Sequence, residues 1–101
     1  MPNELRLLPS FERYLKALDP NQKEIIKLCL KALAVYFSCG NNLSEAHKVA
    51  PKFFLKQLRR PFYEIGIEGQ MRIILRKDGA VFSAEFIGNH DKVRRFLDNN
   101  A

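Results

Sequence analysis

The chain has 101 residues, 47% of them hydrophobic and 28% charged, with a net charge of +6. That length supports one domain with one modest core, and the composition excludes a disordered chain. No apolar run approaches the ~20 residues of a membrane span, and the opening MPNELRLLPSFER lacks the apolar stretch of a signal peptide.

Leu5, Leu7 and Leu8 form a short apolar stretch ended by Pro9, an expected opening strand. Ser10 is a candidate helix cap, and Phe11, Tyr14, Leu15 and Leu18 follow at helical spacing. Asp19-Pro20-Asn21-Gln22 restarts the helix. Asp19 can cap it, Pro20 suits its first position and Gln22 completes a capping box. Ile25, Ile26, Cys29, Leu30, Leu33, Tyr36 and Phe37 then continue at helical spacing until Gly40. The two helices make a hairpin or a sharply kinked pair. Cys29 and Cys39 on one helix lie about 15 Å apart, too far for a disulfide. Together with the lack of a leader, this implies a reducing, cytoplasmic setting.

Ala50-Pro51 is expected to open a short helix through Leu58, with Phe54, Leu55 and Leu58 inward. His47, just before it, reads as a cap or surface residue. From Phe62 the period changes to two, which predicts a three-stranded antiparallel meander. Asp78-Gly79 is a hairpin turn signal. Taken as the loop, it pairs Lys77 with Ala80, Leu75 with Phe82, Ile73 with Ala84 and Met71 with Phe86. A three-residue loop at Glu68-Gly69-Gln70 pairs Ile65 with Ile73 and Tyr63 with Leu75. One face then packs on the helices. The other carries Glu64, Gly66, Arg72, Ile74, Arg76, Ser83, Glu85 and Ile87, with Arg72 opposite Glu85. A short helix after Asn89, with Val93, Phe96 and Leu97 inward, closes the chain. The fold class is therefore α+β.

Charge is uneven. Residues 51–101 hold ten basic and six acidic residues, and from Lys48 to Arg60 there are five basic residues and no acid. Such an excess favours a polyanionic partner. Arg72 and Arg76 suit phosphate, because a guanidinium offers a planar fork of donors. Glu64 and Glu85 can orient the arginines or act as a base, and His90 follows at the end of the sheet. Lys52, Lys56, Arg59 and Arg60 flank the first meander strand, and Lys92, Arg94 and Arg95 lie on the last helix. An isolated arginine–glutamate pair on a sheet is commonly a plain cross-strand ion pair. The convergence of Arg, Glu and His on one face, with basic flanks, is what suggests a site. No Cys/His spacing suggests a metal.

LKQLRRPFYEIGIEGQMRIIL (Leu55–Leu75), EFIGNHDKVRRF (Glu85–Phe96) and LRLLPSFERYLKALDP (Leu5–Pro20) together resemble the RelE/ParE superfamily of bacterial toxin–antitoxin toxins. The resemblance covers nearly the whole chain and implies a single RelE-like domain: a strand, a helical hairpin, an antiparallel meander and a C-terminal segment. It also implies an mRNA-cleaving endoribonuclease that needs no metal or other cofactor, often works within the ribosome, and is held by an acidic antitoxin. Arg72 then falls on the strand arginine that stabilises the scissile phosphate. His90 falls near the C-terminal acid or phosphate ligand, and Lys56 and Arg59 fall near residues that cradle mRNA. Arg94 stands where many members have a tyrosine. A ParE-like toxin that binds a protein such as gyrase, and a noncatalytic RNA- or partner-binding module, are the competing expectations.

Overall fold

The computed structural model describes residues 3–67 and 71–100. Its elements are β1 (Glu4–Leu7), α1 (Pro9–Lys16), α2 (Pro20–Ser38), α3 (Leu43–Val49), β2 (Phe53–Gln57), β3 (Phe62–Ile67), β4 (Arg72–Asp78), β5 (Val81–Gly88) and α4 (His90–Asn100). Among the described residues no helix is long and apolar enough to cross a membrane.

Local chemistry sets the helix ends. Leu8, not Ser10, occupies the cap position of α1. Its backbone is extended, and Pro9 supplies the fixed φ of a first helical residue. The capping box at Asp19 forms as expected. The Gln22 amide donates to Asp19 Oδ1 at 2.8 Å, and the Asp19 amide donates to Gln22 Oε1 at 3.4 Å. α2 then buries Ile26, Cys29, Ala32, Leu33 and Phe37 on one stripe. Gly40 and Asn41 take left-handed backbone angles, with φ of 68° and 60°, and turn the chain. Asn42 caps α3 by accepting from the Glu45 amide. His47 Nε2 lies 2.9 Å from the Phe53 carbonyl and ties α3 to β2.

The expected helix from Ala50 to Leu58 does not form. α3 ends at Val49, and Phe53–Gln57 is a strand antiparallel to β3. Phe54, Leu55 and Leu58 satisfy a helical spacing, but β3 would otherwise leave a row of unpaired peptide groups at its edge. As a strand the segment also sends its two phenylalanines to opposite faces. Phe53 enters the main core, while Phe54 lies over Gly66.

The sheet order is β1-β5-β4-β3-β2, with β1 parallel to β5 and the other pairs antiparallel. The β3/β4 register is the expected one: Tyr63 faces Leu75, Ile65 faces Ile73 and Gly66 faces Arg72. The Glu68-Gly69-Gln70 loop itself lies outside the described residues. The β4/β5 register differs. Asp78 pairs with Val81 and Leu75 with Ala84, so Gly79 and Ala80 form the turn, with Gly79 at φ 61°. This slip of two residues keeps the faces. A bulge at Glu85 then adds one residue, so Ile74 pairs with Phe86, Ile73 with Ile87 and Arg72 with Gly88. The bulge sends Ile87 into the main core and Phe86 to the opposite face, the reverse of the simple hairpin count. It also moves Glu85 away from Arg72.

One face of the sheet packs on α1, α2 and α3 through Phe11, Leu33, Phe53, Ile65, Leu75 and Phe82. The second face, which carries Glu64, Arg72 and Arg76, is not bare. Instead α4 lies across it, with Val93 against Phe62 and Ile74, and with Phe96 and Leu97 packed beside them. The Lys92 amide donates to Asn89 Oδ1 at 2.9 Å, which caps this helix.

Two outcomes follow. Phe11 is fully buried, and Phe11→Ala is expected to cost about 3–5 kcal/mol in urea unfolding, through lost burial and the cavity left. Burial pushes the Cys29 thiol up to about 12, whereas Cys39 is exposed. One thiol should react with a disulfide reagent at pH 8 in the native chain, and two in denaturant, because the thiolate is the reacting form.

Candidate functional site

Arg72 sits in an unusual cross-strand row. Its neighbour on β3 is Gly66 and its neighbour on β5 is Gly88. Neither glycine position is idle. A Cβ on Gly66 would lie 2.8 Å from Cε1 and Cζ of Phe54. A Cβ on Gly88 would lie 2.8 Å from Phe86 Cε2 and 2.9 Å from Lys92 Cβ. Each missing side chain makes room for a phenylalanine ring from the same face. The guanidinium carbon of Arg72 lies 4.7 Å from the Phe54 ring centroid, a cation–π distance.

Glu64 completes the setting. It is a buried acid, and its Oε1 is 3.4 Å from Arg72 Nε. The contact is an ion pair without hydrogen-bond geometry: Arg72 Nε and Nη1 are buried with no hydrogen-bond partner among the described residues. Buried donors left unspent are costly and uncommon in a folded chain. The arrangement therefore holds an oriented, largely enclosed cation. About a fifth of the Arg72 side chain remains open to solvent.

Beside this pair runs a groove of about 290 Å³ between β2 and α4. Lys56, Arg59 and Arg94 supply positive charge, and Glu64, His90 and Asp98 also line it. Leu58, Val93 and Leu97 form its apolar wall. The groove thus gathers five residues singled out from the sequence: Lys56, Arg59, Glu64, His90 and Arg94. Arg72 joins them through Glu64.

The remaining candidates lie elsewhere. Arg72 does not face Glu85. The bulge instead gives Glu85 to Arg76, whose Nε donates to Glu85 Oε1 at 2.9 Å while its guanidinium covers the Phe62 ring at 4.8 Å. Arg60 lines a separate recess with Gln57, Tyr63 and Lys77. Lys92 and Arg95 line a third, on the other flank of α4. Lys52 is exposed in the turn before β2. Two contributors escaped the sequence reading, Phe54 and Phe86. Their only signal was a glycine inside each of two strands, a mark of close approach by another group. No group of three metal-ligating side chains occurs among the described residues.

No protein family matches the sequence, and no curated relative is found. Solved structures are similar in shape. A copper-bound mutant toxin from Helicobacter pylori is 18% identical with a TM-score of 0.56, over 92% of this chain and 99% of that one. A RelBE toxin–antitoxin complex from Mycobacterium tuberculosis is 14% identical with a TM-score of 0.47, over 89% of this chain and 100% of that one. The chain shares its α+β fold with the Helicobacter pylori toxin.

The Arg72–Glu64 pair is testable apart from any activity. Glu64→Gln and Arg72→Met should each destabilise the chain, by about 1–3 kcal/mol, because each leaves a partly buried partner uncompensated. The double variant should lose less than the sum of the two, with a coupling of about 0.5–3 kcal/mol in urea unfolding.

Proposed function

We propose that the chain is the toxin of a type II toxin–antitoxin system and acts as an endoribonuclease on mRNA, thereby repressing translation. The observation that carries this reading is Arg72, held by Phe54 and Glu64 with about a fifth of its side chain exposed, beside a basic groove that contains His90. Such a cation suits a phosphate that gains charge during reaction, because fixed donors stabilise developing charge without having to reorganise. Lys56, Arg59 and Arg94 supply the wider field that draws in a polyanion.

The chemistry is an internal transfer. A ribose 2′-oxygen attacks the adjacent phosphorus and gives up its proton to Glu64. The new bond is O2′–P, and the bond that breaks is P–O5′. His90 donates a proton to the departing 5′-oxygen, and the products are a 2′,3′-cyclic phosphate and a free 5′-hydroxyl. Histidine suits the donor role because it exchanges protons near neutral pH. Arg72 meets the non-bridging oxygens. In this scheme Arg76 and Glu85 hold each other and the bulge, and do not touch the reacting atoms. An acidic antitoxin would cover the same groove by charge complementarity.

Induced expression with transcript-end mapping tests the reading. The wild-type chain should arrest growth and create new RNA ends. Arg72→Ala and His90→Ala should each lose about 100-fold or more of the cleavage while keeping the native circular dichroism spectrum. Growth arrest that persists in both variants, or arrest of replication with intact transcripts, would overturn it.

A further inference from the structure

α4 divides the second sheet face into two flanks, and only one flank holds the groove described above. The other flank carries a recess of about 340 Å³ lined by Phe86, Lys92, Arg95, Phe96, Asn99 and Asn100. Phe86 comes from β5, and the other five come from successive turns of α4. Phe86 and Phe96 also seat α4 on the sheet, where Phe96 meets Phe62 edge-on at 5.8 Å.

The two phenylalanine rings are stacked, with centroids 4.9 Å apart and planes 12° from parallel. Tyr14 of α1 extends the row. It meets Phe86 edge-on at 5.1 Å and is 43% exposed. Lys92 and Arg95 are exposed, have no ion-pair partner among the described residues, and no acid lines the recess. Asn100 spends its amide nitrogen on the Phe96 carbonyl at 2.8 Å. Asn99 has no side-chain hydrogen bond among the described residues, so its donor and acceptor edge is available.

We infer that this recess is a nucleobase subsite for single-stranded RNA, separate from the Arg72 groove. The part-buried Phe86 and Phe96 rings and the exposed Tyr14 ring offer a base an apolar platform, the two cations suit the flanking phosphates, and the Asn99 amide can read a base edge. The recess reaches toward the Arg72 row through Phe86. Phe86 packs over Gly88, and Gly88 is the cross-strand neighbour of Arg72. An acidic peptide would satisfy Lys92 and Arg95 but would leave the aromatic row and the Asn99 edge without a counterpart.

The inference rests on the RNA reading above, and its test separates the two. The probe is a short RNA with 2′-O-methyl groups, so that it is not cut, and with 2-aminopurine at one position. Anisotropy reports binding, and 2-aminopurine fluorescence reports stacking. The wild-type chain should bind and quench. Phe96→Leu should lose the quenching and weaken binding about tenfold. Because Phe96 also seats α4, Asn99→Ala and Arg95→Ala provide surface variants. Asn99→Ala should narrow the affinity differences between RNAs that differ at the probed base, and Arg95→Ala should weaken binding to all of them. Wild-type binding that none of the three variants changes would overturn the subsite and leave the RNA reading standing. Failure of the wild-type chain to bind any of the RNAs would overturn both.

Discussion

The arrangement on which the site depends is the row Gly66–Arg72–Gly88. A sheet normally fills such a row with three side chains. Here only one is present, and two phenylalanines fold over the vacant positions. Arg72 is thereby pressed against Phe54, withdrawn from water and paired with Glu64. A guanidinium on an open strand would be well hydrated and poorly oriented. Enclosed this way it has fewer accessible orientations, and the surrounding core offsets the cost of its desolvation. The bulge at Glu85 belongs to the same design. It brings Gly88 opposite Arg72, sends Phe86 to the shared face, and hands Glu85 to Arg76.

Much of this was legible in the sequence, and the exceptions have physical causes. The Asp19 capping box, the Gly40-Asn41 turn, the β3/β4 register and the inward face of α4 all rest on local signals, and all form. In segment 50–58 the helical spacing of Phe54, Leu55 and Leu58 favours a helix, while its true partner, the edge of β3, is a non-local demand. The bulge was invisible for a similar reason. Alternating residues on either side of Asp78-Gly79 fit a plain hairpin, and only the packing of Ile87 against Ile73 decides for the extra residue. The pairing partners on the second face therefore differ from the simple hairpin count. Glu64, not Glu85, is the acid beside Arg72.

α4 changes the meaning of the basic residues. A bare basic face would present one diffuse field. A helix across it makes two flanks with different chemistry. One holds Lys56, Arg59, Arg94 and His90 around Glu64, and the other sets Lys92 and Arg95 beside stacked rings. Arg60 and Lys77 form a third, separate recess. The charge excess of the second half of the chain is thus partitioned by the fold, and the Arg72 row lies at the start of the dividing helix.

The most direct test of this account is the rate at which the Gly66→Ala variant cleaves a defined RNA, measured beside the wild-type chain. The new methyl group meets the Phe54 ring, so the ring must leave its place against Arg72 while all charged groups are kept. The account predicts a folded variant whose cleavage falls by at least about tenfold, a loss of about 1.4 kcal/mol of transition-state stabilisation. A variant that cuts as fast as the wild-type chain, or a wild-type chain that leaves the RNA intact, would contradict it.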